Sequence, residues 1–203
     1  GSMGSDFDAV FIGSGTLAGA LEALELVEGQ VATLRKLASQ GVPFLALGLG
    51  WEILGESIEL MDGRTVAGAG IFPSRSVRIV DRASAESYGF DKNGELTAGY
   101  ANHSAEMELL NDAEALISLK AGFGNSSKLP AKQRSDEGIL VGNLMGARLN
   151  GPLLPLNPHL ADKFLTLVAA NSRFNYEQIS EEAKTADRYA SRARVELKGR
   201  LAS

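Results

Sequence analysis

The sequence predicts a three-layer α/β domain, with a mainly parallel sheet, helices on both faces and an antiparallel extension, and three observations carry that prediction. Ala9-Val10-Phe11-Ile12 is an unbroken apolar run bounded by Asp8 and by Gly13-Ser14-Gly15, as expected of a strand buried on both faces. A second run, Val42-Pro43-Phe44-Leu45-Ala46-Leu47, follows a segment of helical periodicity, which is the layout of a right-handed βαβ unit. The middle of the chain then changes to short runs punctuated by glycine, the pattern of hairpins.

Between the first two strands Leu17, Leu21, Leu24, Val31, Leu34 and Leu37 recur at helical spacing among Glu22, Glu25, Glu28 and Arg35, so one helix is expected from Leu17 to Ser39. Gly41 supplies a left-handed stop and Pro43 starts the next strand. That strand ends in Gly48-Leu49-Gly50-Trp51-Glu52-Ile53-Leu54-Gly55, a tight turn into a helix. Such an elbow holds one side chain in a strained conformation above the sheet, facing backbone N–H groups. The residue at its tip, Gly48, has no side chain.

Farther on, Ser76–Val80 and Ala115–Leu119 read as antiparallel strands, with Asp62-Gly63 and Asn93-Gly94 as turn pairs. Residues 125–136 read as a polar loop, and Gly138–Gly142 and Gly146–Leu149 as the last strands. Asn157-Pro158 is expected to cap a helix running to Ala170, and a charged helix spans Ser180 to Leu201.

Composition narrows the function. With 203 residues, 44% of them apolar, the chain fits one core; a single domain is expected over 6–203, with Gly1-Ser2-Met3-Gly4-Ser5 a tag or linker remnant. A net charge of -5 argues against nucleic acid, which needs a concentrated positive surface. The absence of cysteine excludes disulfides, thiolate metal sites and thiol catalysis, and His103 and His159 are the only imidazoles, so no metal and no cofactor are expected. No apolar run approaches the roughly 20 residues that cross a bilayer, and no leader pattern is seen, which points to a cytoplasmic protein.

Taken in order, these pieces resemble the class I glutamine amidotransferases of the CobB/CobQ type, and within them the glutaminase subunits of lipid II isoglutaminyl synthases (GatD). Where family members have a Cys-Gly-Gly-Tyr-Gln elbow, this chain reads Gly48-Leu49-Gly50-Trp51-Glu52. Asp62-Gly63, Gly68-Ala69-Gly70-Ile71, Gly99-Tyr100-Ala101-Asn102-His103, Gly122-Phe123-Gly124-Asn125 and Glu137-Gly138 keep the family's order. So does Gly151-Pro152-Leu153-Leu154-Pro155 with Asn157, before which the family carries its catalytic histidine and this chain carries Asn150.

The resemblance implies a flavodoxin-like, three-layer fold and a pocket at the elbow. It also implies that both members of the Cys/His dyad are gone, since Gly48 cannot attack an amide and Asn150 cannot act as a general base. A designed knockout would usually change the cysteine alone, to alanine or serine. By the same resemblance Arg82 is a contact for the carboxylate of glutamine, with Gly15, Leu49, Glu52 and Asn102 around it; Leu49 adds bulk, and Glu52 puts a negative charge where the family has a neutral amide. The family's glutaminases work with Mur-ligase-like synthetases in cell-wall precursor amidation. The expected role is therefore a non-hydrolysing subunit, with an amidotransferase completed by other groups, or an amino-acid sensor, as alternatives. The family's first strand, helix and second strand have no counterpart before Asp8. Either these are missing from this chain or the sheet is reduced, and the bare flank is expected to pair with a second copy.

Other candidates are weaker. Gly13-Ser14-Gly15-Thr16 lacks the lysine and spacing of a phosphate loop. His103 reads as a structural or pocket-lining group and His159 as a solvated helix residue. Ser14, Ser57 and Ser104 are conceivable nucleophiles, but none is expected at the elbow tip. The charged last helix reads as solvated, with partner docking as the alternative.

Overall fold

The structure is a computed structural model that describes residues 6–126, 136–150, 152–177 and 180–202. The tag-like start, most of the polar loop and Gly151 lie outside the described residues. The first sheet has the order β1 (Val10–Ile12), β2 (Phe44–Leu47), β10 (Leu144–Ala147), β9 (Ile139–Val141). β2 pairs in parallel with both β1 and β10, and β9 is antiparallel to β10. Central position explains why β2 is apolar throughout: Phe44 and Ala46 enter one core and Leu45 the other, by the alternation of a strand.

The second sheet runs β11 (Leu149–Asn150), β6 (Leu96–Leu109), β5 (Ser74–Phe90), β3 (Ser57–Glu59), β4 (Thr65–Ala67), with β7 (Ile117–Ala121) on the far end of β5 and β8 (Asp136–Glu137) on β7. Its spine is the long β5–β6 hairpin, turned at Asn93-Gly94, where the Asp91 carboxylate accepts from the Asn93 and Glu95 amides at 2.9 Å. The expected antiparallel extension is thus a seven-stranded sheet beside the four-stranded one, antiparallel except where β3 runs parallel to β5. The chain passes from one sheet to the other between β10 and β11, at Arg148.

The helix expected over Leu17–Ser39 is broken into α1 (Leu17–Leu26), a 3-10 turn at Glu28–Gln30 and α2 (Val31–Ser39). Packing explains the break: Ala20, Leu21 and Leu24 meet Ile53 and Ile58, whereas Leu34 and Leu37 meet Phe44, Trp51 and Phe72. One straight helix could not present its apolar stripe to both clusters. α3 (Leu49–Leu54) follows the elbow, and α4 (Leu153–Leu156), α5 (Pro158–Asn171) and α6 (Glu181–Leu201) complete the chain.

Asn157 precedes α5 but makes no side-chain cap. Its buried amide instead accepts from Ala98 N at 2.9 Å and donates to Ala98 O at 2.8 Å and Leu153 O at 2.7 Å. His159 is not a freely solvated residue either; its Nε2 lies 2.9 Å from Thr97 Oγ1. α6 is capped by Ser180, which accepts from Ala183 N, and packs Leu197 with Tyr88 and Ala98 of the hairpin. The last helix is therefore docked along one side. Among the described residues no helix is long and apolar enough to cross a membrane.

Candidate functional site

β2 delivers the chain to the elbow at the edge of a cavity of about 290 Å³. Gly48 has φ 53° and ψ -122°, a combination that costs a side-chain-bearing residue about 1–3 kcal/mol. The turn is held from both sides. Gly48 N donates to Ala147 O at 2.8 Å, and Gly48 O accepts from Trp51 N and Glu52 N at 3.0 and 3.2 Å. Trp51 is fully buried and donates its indole N–H to Ser74 Oγ at 3.0 Å, anchoring α3 on β5.

The cavity brings together the positions singled out in the sequence. Gly48 and Asn150 both line it, as do Gly15, Leu49, Glu52, Arg82 and Asn102. Asn150 sits on β11, opposite Tyr100, and among the described residues its amide makes only a long 3.4 Å contact to Arg148 O. Arg82 comes from an interruption in the hairpin: Arg78 pairs with Ala105 and Ala83 with His103, so Ile79–Arg82 bulge opposite Ser104. That bulge sends Arg82 to the cavity, where its Nε donates to Asn102 Oδ1 at 2.7 Å. A neutral amide leaves the guanidinium charge uncompensated by this contact, and its planar fork suits a carboxylate.

Glu52 does not present a bare negative charge. It is 2% exposed, accepts from Ser76 Oγ at 2.9 Å, and has both carboxylate oxygens 3.1 Å from Arg78 Nη1. Ser76 and Arg78 are two apart on β5, which places them on one face of the strand. Repulsion of an incoming carboxylate by Glu52, expected from its charge alone, is offset by this ion pair.

Arg148, at the crossing between the sheets, is buried and donates to the carbonyls of Ala105, Gly124 and Asn125 at 2.5, 2.9 and 2.9 Å. Its amide donates to Glu137 Oε1 at 2.6 Å. Burial pushes the Glu137 carboxyl up, against the pull of the Arg148 charge. His103 faces the same cavity, and neither ring nitrogen closes a well-formed hydrogen bond. Burial, reinforced by the Arg148 charge, drives its pKa down to about 3; the Ala105 backbone and the Glu106 carboxylate oppose this and are outweighed. The imidazole is therefore neutral at pH 7.

Sequence reasoning missed two residues and misplaced a third. Arg78 could have been found from its alternation with Ser76. Arg148 gave no signal, because a buried arginine is rare and nothing in Ala147-Arg148-Leu149 marks one. Ser14, not expected at the elbow tip, is there: a side-chain carbon built on Gly48 would meet Ser14 Cβ at 2.9 Å, and its Oγ closer still. Leu49 N donates to that Oγ at 3.4 Å. Ser57 lies on β3 and is not among the residues lining the cavity, whereas Ser104 lines it. No group of three or more His, Asp or Glu residues that could hold a metal occurs among the described residues.

An elbow after a central parallel strand, with a cavity above it, is the layout of an α/β enzyme of the acyl- or amide-transfer type. The family model for the CobB/CobQ-like glutamine amidotransferase domain matches residues 1–157, well over half of the chain, and the protein belongs to that family. Its α/β architecture is the class I amidotransferase-like fold expected from the sequence. It is 27% identical over 183 residues to subunit GatD of the lipid II isoglutaminyl synthase (glutamine-hydrolyzing) of Staphylococcus aureus (strain N315), covering 87% of this chain and 71% of that one. A glutamine amidotransferase from Thermotoga maritima, known from a crystal structure, superposes with a TM-score of 0.48 at 12% identity, over 94% of this chain and 72% of the other.

Proposed function

We propose that this chain is a pseudo-glutaminase: an amidotransferase-like subunit that does not hydrolyse glutamine and acts through a Mur-ligase-like synthetase partner, in cell-wall precursor amidation or a related pathway. The observation that carries this reading is the bare elbow tip. Gly48 keeps the strained geometry of the turn but offers no nucleophile, and the chain has no cysteine to supply one. Asn150 has no basic atom at neutral pH, and His103, though neutral, lies off the position that the resemblance assigns to the base. Nucleophile and base act as one unit, so losing either removes most of the rate. The partner is inferred from the GatD relative, which is named as a subunit of a synthase.

A second reading is favoured by Arg82, whose only hydrogen-bond partner among the described residues is the Asn102 amide. A carboxylate there would complete the pairing, making the chain a binder of glutamine or a related amino acid without turnover. One experiment addresses both. Incubated with glutamine, the purified chain is expected to release no ammonia above the blank, and steady release would overturn the pseudo-glutaminase reading. Saturable glutamine binding by calorimetry without ammonia would favour the sensor. Release that begins only when a ligase is added would favour an amidotransferase completed by other groups.

A further inference from the structure

The elbow is closed by more than the loss of a side chain at its tip. Ser14, in the turn between β1 and α1, stands over Gly48 and accepts the Leu49 N–H. A carbon added at position 48 would fall 2.9 Å from Ser14 Cβ and nearer to its Oγ, yet 3.9 Å from Ser14 Cα. The last distance is an ordinary van der Waals contact. Rotating the hydroxyl would relieve the Oγ overlap but not the Cβ overlap, because Cβ is fixed by the backbone. The obstruction is therefore the whole Ser14 side chain, and it disappears only when that residue becomes glycine.

We infer that Ser14 is a blocking residue: its side chain takes the space of a nucleophile at position 48 and its oxygen takes the Leu49 N–H that would face a reacting carbonyl oxygen. The inference rests on the pseudo-glutaminase reading for its meaning but not for its test. It implies that putting back the two dyad residues alone leaves the elbow shut. Reopening needs a third change, on a different loop.

The measurement is a double-mutant cycle, which cancels the backbone strain that any side chain at position 48 meets in either background. Gly48→Ala is expected to lower the melting temperature. In a Ser14→Ala background most of that drop is expected to remain, because Cβ remains; in a Ser14→Gly background at least half should vanish. Because the sequence contains no cysteine, Gly48→Cys introduces a single thiol whose alkylation by iodoacetamide can be followed by intact mass. That thiol is expected to react at least fivefold faster with Ser14→Gly than with Ser14 retained. Should Gly48→Cys fail to fold, recovery of a cooperative transition on adding Ser14→Gly supports the inference, and no recovery overturns it. Equal melting drops and equal alkylation rates in the two backgrounds overturn it as well. Ammonia release by the unmodified chain would sink the pseudo-glutaminase reading while leaving the outcome of this cycle unchanged.

Discussion

The cavity gathers three arginines around an imidazole, and their partners decide what each can do. Arg78 is committed to Glu52 and Arg148 to carbonyls, while the bulge carries Arg82 to a partner that, among the described residues, is an amide only. Removing one member of a buried ion pair strands the other at a cost of about 3–5 kcal/mol, so Glu52 and Arg78 stand or fall together. His103 is open to a pH test. In the folded chain it takes up a proton near pH 3, and in the unfolded chain near its ordinary 6.5. Between these values the unfolded state binds more protons, so stability falls as pH drops through the window and is indifferent to His103 above it. His103→Phe forfeits no well-formed hydrogen bond and removes the titration. Urea denaturation between pH 6 and 4 should therefore show a shallower acid slope in the variant, by up to about 1.4 kcal/mol per pH unit; parallel slopes would mean that the imidazole is charged when folded. The lining of the candidate cavity was legible in the sequence where glycine and motif order marked it, at Gly48, Asn150 and Arg82. It was illegible at Ser14, because the overlap joins Gly48 to a residue in a separate loop far back in the sequence and no local pattern encodes that distance.

Elements here are joined by side-chain amides that substitute for sheet pairing. Asn157 closes a two-way pair with Ala98 of β6. Asn125 does the same with Gly138, accepting from its N and donating to its O, both at 2.8 Å. Each asparagine presents one donor and one acceptor to a single residue's backbone, as a neighbouring strand would. These are the residues whose order carried the family resemblance, and their role is to hold α4 and α5 on the hairpin and the Gly124–Ser126 turn on Gly138, between β8 and β9. Asn157→Ala leaves the Ala98 N–H and C=O unpaired, each costing about 1–3 kcal/mol, while Leu153 O keeps the Asn157 backbone N–H. A loss of at least about 2 kcal/mol is expected in chemical denaturation, with Asn157→Asp intermediate because it keeps the acceptor; a loss below about 1 kcal/mol would show that water replaces the amide. The sequence located these asparagines but assigned Asn157 to capping, since helix-start rules are local and its partner is 59 residues away. The break between α1 and α2 was hidden for a related reason. Periodicity reports one apolar stripe, while two separate clusters draw on it.

At the scale of the whole molecule, the first sheet ends at β1, beyond which no strand follows among the described residues. Phe11 on that edge is 61% exposed. Next to it lies a recess of about 370 Å³ lined by Phe7, Val10, Leu24, Val27, Ile53 and Ala69. An unpaired edge flanked by apolar surface is a template for another strand. A second copy meets the requirement most simply, because two-fold symmetry sets β1 antiparallel to itself and brings each Phe11 to the other chain's edge. With only three residues in β1, backbone pairing is short and the apolar contact must supply most of the free energy. Burying both phenylalanines contributes about 3 kcal/mol, or roughly a hundredfold in the dissociation constant. Sedimentation equilibrium should accordingly detect reversible dimers that Phe11→Glu weakens at least a hundredfold, with the melting temperature of the dilute protein little changed, since Phe11 lies mostly outside either core. A chain that stays monomeric at high concentration, or a dimer indifferent to Phe11→Glu, would place self-association on another face and leave this edge to a different strand.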